Sequence, residues 1–210
     1  MAIVWPCALS VDEYVTAGRD LEVPRPDCLA CSAPMVFWSG YHRMLRAGGR
    51  DLRLWVPRAR CQHCDTTHAL LPAFVVAGRL DVVDTIGAVL EEVARGPGGV
   101  RPAAEAVAVP HATARGWWRR FRQHSERLAV AFAALATDLG DDIVAIGHDS
   151  ASRALIAVGR AFSAACSLPG WQGIGRWRFA NAVTGGRWLA TNSNCPYLVV
   201  GRRRFMAPVP

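Results

Sequence analysis

The chain has 210 residues, of which 51% are hydrophobic and 20% are charged, so its composition is that of a globular protein rather than a disordered one. The formal net charge is +7, and all 24 basic residues are arginine. Uncharged stretches such as residues 161–175 are too short, and too interrupted by Pro and Gly, to predict a transmembrane helix. No membrane association is therefore expected, and no small-molecule substrate is evident from the sequence.

The apolar start "MAIVWPCALSV" has no basic segment before it and runs directly into Asp12 and Glu13. We therefore expect no signal peptide and a cytoplasmic, nucleoid-associated location. Thiols stay reduced in that compartment, so a disulfide framework is not expected. The seven cysteines need another explanation.

The arginines are concentrated in blocks. Residues 43–60 contain six arginines and one aspartate, residues 111–127 contain five arginines and one glutamate, and residues 150–210 contain eight arginines and no acid. Residues 128–149, in contrast, carry four aspartates and no arginine. Blocks of this kind predict basic faces, and a basic face most often meets nucleic acid.

The first motif consists of two C-x2-C pairs, Cys28 with Cys31 and Cys61 with Cys64, separated by 29 residues. Each pair can place two thiolates on one cation, and together they complete the tetrahedral four-sulfur shell of structural zinc. A redox pair or plain buried thiols are the alternatives, but a redox C-x2-C normally begins a helix in a βαβ unit, which the sequence does not suggest. His63 and His68 lie nearby and are weaker candidate ligands.

The residues between the two cysteine pairs predict a β-hairpin. Two segments rich in aromatic and branched residues flank the turn signal Ala47-Gly48-Gly49. Two short cysteine turns joined by a hairpin describe a zinc ribbon. The positions after each second cysteine, where such turns commonly have glycine, hold Ser32 and Asp65.

After Pro72 the apolar period becomes helical. "RLDVVDTIGAVLEEVARG" has one apolar stripe and ends at a Gly-Pro-Gly-Gly stop, a short helix "RPAAEAVAV" follows, and a turn at residues 109–111 leads into a long third helix. In that helix Ala114, Trp117, Trp118 and Phe121 have the spacing of a buried face. This order predicts a trihelical helix-turn-helix.

The N-terminal part of the third helix, residues 112–124, would be the recognition helix that enters the major groove. Thr113 and Gly116 are small enough to allow close approach, and Arg115 and Arg119 would read guanine edges. The other candidate residues would contact DNA phosphates: Arg101, Arg120 and Arg122. The alternative is an amphipathic bundle whose polar face is basic without a binding role.

The C-terminal third predicts a helix that begins near Asp149 or Ser150, then a hairpin around Gly185-Gly186, then an Arg-rich tail "GRRRFMAPVP". The tail is predicted either to follow DNA phosphates or to be solvated without a role. Acidic-triad recombinases need carboxylates spread over a large α/β core. Residues 150–210 contain no aspartate or glutamate, so no catalytic residue is assigned.

The segments "CLAC", "RLWVPRARCQHCDTTHALLPAFVVAGRLDVVDTIGAVLEEVARG" and "VRPAAEAVAVPHATARGWWRRFR" together resemble a poorly characterised family of actinobacterial helix-turn-helix proteins with an N-terminal zinc ribbon. Members of that family resemble the DNA-binding parts of insertion-element transposases. The resemblance covers roughly residues 25–125, and "WRFANAVTGGRWLATNS" is also similar. It implies zinc and DNA binding, with the four cysteines of the two pairs as ligands and residues 112–124 as the recognition helix.

The predicted fold is therefore α+β: an N-terminal extension (1–24), a zinc ribbon (25–72), a helix-turn-helix with an extended last helix (78–139) and a basic tail of helix and hairpin (140–210). The predicted function is sequence-specific binding of double-stranded DNA, in transposition or transcriptional regulation, with structural zinc and no catalysis. Possible protein partners are a transposase or integrase, or a second copy of the chain. The alternatives are a divergent or truncated transposase and an adaptor that recruits a transposase or polymerase.

Overall fold

The computed structural model of the chain describes residues 2–141, 147–171 and 173–189. Within these residues the protein is α+β, with one four-stranded sheet and six α-helices. None of the helices is both long enough and apolar enough to cross a membrane within this described part.

The sheet occupies the N-terminal half of the chain. Its strands are β1 (Ala2–Trp5), β2 (Met35–Ala47), β3 (Arg50–Cys61) and β4 (Thr67–Pro72), in the spatial order β1-β4-β3-β2. β3 pairs antiparallel with both β2 and β4, whereas β1 pairs parallel with β4. β2 is therefore an edge strand.

The hairpin predicted between the two cysteine pairs is confirmed. Gly48 and Gly49 form the two-residue turn between β2 and β3, with φ of 55° and 75°. Positive φ at both central residues is what a type I′ turn requires, and its twist matches that of the flanking strands. The register of the hairpin pairs Met35 with Cys61, so the two ends of the long arms lie side by side.

The first 24 residues contribute to the same core as the sheet. After β1, helix α1 (Val11–Ala17) begins with a capping box in which Ser10 and Glu13 satisfy each other's backbone N–H. The fully buried Tyr14 donates its hydroxyl to the carbonyl of Trp55 at 3.2 Å. A 3-10 turn, Gly18–Asp20, completes this segment.

Three consecutive helices follow the sheet: α2 (Val83–Arg95), α3 (Val100–Ala106) and α4 (His111–Asp138). α2 buries Val83, Ile86, Val89 and Leu90, which are part of the apolar stripe read from the sequence. Leu80, the first residue of that stripe, lies before the helix and is exposed. α4 buries the predicted Ala114, Trp117 and Phe121, whereas the fourth predicted member of that face, Trp118, is only half-buried. Both α2 and α3 pack against α4.

The apolar second half of α4 packs on helix α5 (Ser150–Ala165). Leu128 and Phe132 of α4 are almost fully buried, as are Ala154 and Val158 of α5. The predicted start of α5 is confirmed, because Asp149 caps it by accepting the N–H of Ser152 at 2.7 Å.

The hairpin predicted around Gly185-Gly186 is wrong. Residues Arg176–Val183 form helix α6, and Thr184-Gly185-Gly186 is the turn that ends it. Because α6 is buried on most of its surface, its apolar residues do not show a clear helical period. The pair Gly185-Gly186 also resembles the glycine turn of a hairpin, which led to the wrong prediction. The Arg-rich tail lies outside the described residues.

α6 is held by contacts with segments far away in the sequence. The ring of Trp177 lies directly on Gly87 of α2, where a Cβ would be only 2.2 Å from it. The fully buried Asn181 donates to the carbonyls of Ala73 and Val75 and accepts the indole N–H of Trp188. Through these contacts the buried apolar side chains of sheet and helices form one connected core.

Candidate metal centre and basic surface

The four predicted cysteine ligands converge at one end of the hairpin. All four Sγ atoms lie within 4.8 Å of one another, with Cys28 3.5 Å from Cys64 and Cys31 3.4 Å from Cys61. Zinc–sulfur bonds of about 2.3 Å in a regular tetrahedron require sulfur–sulfur distances of about 3.8 Å. The four thiols therefore have the separation that a single tetrahedral metal ion needs.

The two cysteine loops share one backbone geometry. In the first, Cys28 N–H donates to the carbonyl of Ala33 at 2.8 Å and its carbonyl accepts the N–H of Ser32 at 2.9 Å. The corresponding bonds of Cys61, with Thr66 and Asp65, measure 2.9 and 3.0 Å. The first loop precedes β2 and the second follows β3, so the hairpin register brings the two loops together.

The thiols differ in how readily they lose a proton. The hydroxyl and backbone N–H of Thr66 hydrogen-bond to Cys64 Sγ and lower its pKa to about 6. The backbone N–H of Ala33 favours the Cys31 thiolate, but burial and the three neighbouring thiols outweigh it and raise the pKa of Cys31 to about 12. A metal ion that bound here would displace the remaining protons, since only thiolates are ligands.

The two nearby histidines are placed differently. His68 is fully buried, and its Nε2 lies 3.9 Å from Cys28 Sγ. Burial lowers the pKa of His68, so the neutral ring is favoured beside the sulfur. His63 is exposed, outside the converging group. The four cysteines are thus the candidate metal-ligand set, and the His68 ring lies beside Cys28 of that set.

The N-terminal half of α4 presents the predicted basic face. Arg115, Arg119 and Arg122 are exposed, and with Gly116 and Trp118 they border an open groove of about 800 Å³. Thr113 is half-buried on the same half of the helix, and Arg101 is exposed in the first turn of α3. The sequence pattern assigned Trp118 to the core, but the structure places it beside the arginines.

Arg120 does not lie on this outer face. Its guanidinium is half-buried and its Nη1 donates to the carbonyl of Gly116 at 3.2 Å. It borders a separate cavity of about 400 Å³. The same cavity is lined by residues Gly78–Asp81, in the segment that joins the sheet to the helices. The charge blocks in the sequence did not single out Arg79, because it is an isolated arginine at the start of the first predicted helical segment.

Two of the aspartates in the acidic block of residues 128–149 have structural partners. Asp141 forms a bidentate ion pair with Arg160, and Asp149 caps α5. Asp142 lies outside the described residues. Within the described part of the chain, the four cysteines are the group of Cys, His, Asp and Glu side chains close enough to hold a metal ion.

Residues 28–115 match a family model described as Domain of unknown function (DUF6431). The match begins at Cys28, the first of the four clustered cysteines, and ends on α4 at Arg115. It therefore spans the four-cysteine cluster, the hairpin and the start of the basic face. No curated protein and no solved structure matches the chain.

Proposed function

We propose that the protein is a sequence-specific DNA-binding protein that contains structural zinc, acting as a transposition-associated binding factor or a transcriptional regulator without catalysis of its own. Its metal-bearing part would be a zinc ribbon, and α2, α3 and α4 would form a helix-turn-helix. It would act on double-stranded DNA in the cytoplasm.

Zinc is supported by the donor set. Four thiolates in a tetrahedron suit zinc or iron, and a shell with no open position suits a structural ion. Both cysteine loops are joined to the strands by backbone hydrogen bonds, so metal binding and hairpin folding would be coupled.

A helix-turn-helix is supported by the order and packing of three helices. The connection from α3 to α4 is short, with Ala108 in a left-handed conformation at φ 53°. α3 and α2 both rest on the buried stripe of α4, which leaves the opposite face of α4 uncovered at its N-terminal half. In this class of motif that half of the last helix enters the major groove.

The observation that carries the proposal is that two exposed arginines of this face lack an ion-pair partner within the described residues. Among the described residues, Arg115 and Arg119 form no ion pair. Other arginines of the helical part are neutralised, such as Arg153 by Glu126 and Arg178 by Asp84. Exposed, uncompensated guanidinium groups beside a groove are the electrostatic requirement for a DNA backbone or a guanine edge.

The proposed roles follow from position. Arg115 and Arg119, one turn apart on the exposed face, would read base edges, with Thr113 and Gly116 allowing close approach. Arg122, further along the same face, and Arg101, on α3, would contact phosphates.

Binding of the metal-loaded full chain to a random duplex, measured over a range of salt concentrations, tests the proposal. We expect the logarithm of the affinity to fall linearly with the logarithm of salt concentration. Arg122→Gln should reduce that slope by about 1, because one phosphate contact is lost. Arg153→Gln, which removes an arginine already paired with Glu126, is the matched control and should leave the slope unchanged.

Selection of bound sequences from a random pool tests the specificity. Arg115→Gln should relax the preference at one base position and weaken binding to the selected site by about 1–3 kcal/mol. Binding without salt dependence, or an unchanged preference in Arg115→Gln, would contradict the proposed function.

A protein-interaction adaptor is the second candidate, and the exposed apolar side chains of β2 favour it. Phe37, Trp38 and Tyr41 are 44, 55 and 40% exposed on an edge strand, and such strands are common sites of strand pairing between chains. The apolar part of α4, in contrast, is covered by α5. Two results together would favour the adaptor. DNA binding would not depend on salt, and the chain would self-associate in sedimentation experiments while the Trp38→Ser variant would not.

A further inference from the structure

A cavity of about 400 Å³ lies between α4 and the segment that joins the sheet to the helices. The charged residues that line it are three arginines, Arg46, Arg79 and Arg120, and one aspartate, Asp81. Thr113 and Gly116 of α4 complete the side towards the basic face. Its volume is in the range of small-ligand sites, roughly 300–1,000 Å³.

The carboxylate is already neutralised. Asp81 is 4% exposed, and both of its oxygens accept hydrogen bonds from Arg46, at 2.6 and 3.0 Å. A bidentate pair of this kind uses the planar fork of the guanidinium fully. Within the described chain, Arg79 and Arg120 are therefore left without a carboxylate partner, and the wall has a net charge of +2.

The two remaining guanidinium groups are held in place by backbone carbonyls. Arg79 donates through Nη2 to the carbonyl of Leu189 at 2.7 Å, and Arg120 donates through Nη1 to the carbonyl of Gly116. Arg43 donates to the carbonyls of Val76 and Arg79, which fixes the segment that carries Arg79. These contacts orient the groups but supply no negative charge.

Both guanidinium groups have unused hydrogen-bonding capacity. The Nε atoms of Arg79 and Arg120 are buried, and within the described residues neither has a partner. Burial and the charge of Arg120 together lower the pKa of Arg79. Two positive charges in one cavity repel each other and lose part of their hydration. An anion that hydrogen-bonds to both guanidinium groups would offset both costs.

We propose that Arg79 and Arg120 form an anion site that takes a phosphate group at the junction of the sheet and α4. Two sources have this chemistry: a backbone phosphate of the duplex, and a free phosphate or the phosphate of a nucleotide. The DNA source rests on the proposed function, because it needs a duplex lying along the N-terminal half of α4, next to Thr113 and Gly116.

Titration of inorganic phosphate into the metal-loaded full chain, dialysed free of excess metal, tests the site directly. Ionic strength is held constant with chloride, and binding is followed by calorimetry and by the rise in thermal midpoint. We expect phosphate to bind and to stabilise the chain, and Arg120→Met to weaken its affinity at least tenfold. Arg50→Met is the matched control, since Arg50 pairs with Asp12 at the hairpin tip, and it should change the affinity less than twofold.

Arg79→Met is the second variant, and the circular dichroism of both variants is compared with the native chain. If either variant fails to fold, the titration of the native chain tests the proposal alone. A rise in thermal midpoint with phosphate no larger than that with chloride overturns the anion site. Equal phosphate affinities of native chain and folded Arg120→Met also overturn it.

The salt dependence of duplex binding separates the two sources. If DNA phosphate fills the site, Arg120→Met lowers the slope by about 1 and millimolar phosphate competes with the duplex. If phosphate binds while the DNA slope of Arg120→Met is unchanged, the source is a free phosphate. Phosphate binding without any duplex binding would support the anion site and would contradict only the proposed DNA-binding function.

Discussion

Ser32 and Asp65 occupy equivalent positions in the two cysteine loops, and both have a left-handed backbone with φ of 59° and 60°. Each donates its N–H to the carbonyl of the first cysteine of its loop. Glycine is common at such positions because it has no Cβ to oppose positive φ. Aspartate tolerates this conformation better than most residues, and Asp65 also pairs with Arg60.

The first prediction concerns this backbone strain. Ser32→Val should destabilise the metal-loaded protein by about 1–3 kcal/mol, because a β-branched residue opposes positive φ. Ser32→Gly should be neutral or slightly stabilising. Both are measured by urea unfolding. Ser39→Val, an exposed serine on extended strand β2, is the control and should change stability little; a Ser32→Val variant as stable as this control would contradict the prediction.

The second prediction concerns the ligands. Cys61→Ser should abolish binding of one metal ion per chain and unfold the cysteine loops, since three thiolates and a hydroxyl do not reproduce the four-sulfur shell. Metal content by elemental analysis and protease sensitivity of the hairpin are the measurements. Cys166→Ser, outside the converging group, should retain both metal and protease resistance. Full metal content in Cys61→Ser would exclude the four-cysteine site.

The third prediction concerns the packing of α6 on α2. Gly87→Ala should destabilise the protein by about 1–3 kcal/mol, because the new methyl group would meet the ring of Trp177 at 2.2 Å. Gly159→Ala is the matched control within another helix, where the nearest atom is the end of the Arg176 side chain at 3.6 Å. It should stabilise by up to about 1 kcal/mol through helix propensity. Equal thermal midpoints for the two variants would argue against this packing.

The fourth prediction concerns the cap of α5. The N–H of Ser152 lowers the pKa of Asp149, so its stabilising effect is present above the ordinary carboxyl pKa and is lost as the pH falls through the lowered value. Asp149→Ala should cost about 1 kcal/mol at neutral pH. Asp149→Asn should keep most of the cap but lose this part of the acid dependence.

Urea unfolding at neutral pH and at pH 3 measures both effects. The stability difference between Asp149→Asn and the native chain should shift in favour of the asparagine variant at the lower pH. A native chain and an Asp149→Asn variant with parallel pH profiles would show that Asp149 does not titrate as a cap.

Features that rest on short sequence patterns could be predicted from the order of the amino acids. Two C-x2-C pairs, a Gly-Gly turn between branched strands and the apolar stripes of α2 and α4 predicted the ligand set, the hairpin and the principal helices. Each C-x2-C pair, the Gly-Gly turn and each apolar stripe is recognised from residues close together in the sequence. The cap at Asp149 was recognised for the same reason.

Contacts between distant segments are set by packing in three dimensions and could not be predicted from sequence patterns. β1 pairs in parallel with β4, α6 packs closely on α2 because Gly87 leaves room for Trp177, and Arg120 borders a cavity that it shares with Arg79 instead of the outer face of α4. Helical spacing gives the direction in which a side chain leaves its own helix, but not the segment that will cover it. That cover is set by packing across the core, where residues about a hundred positions apart, such as Arg79 and Leu189, make direct contact.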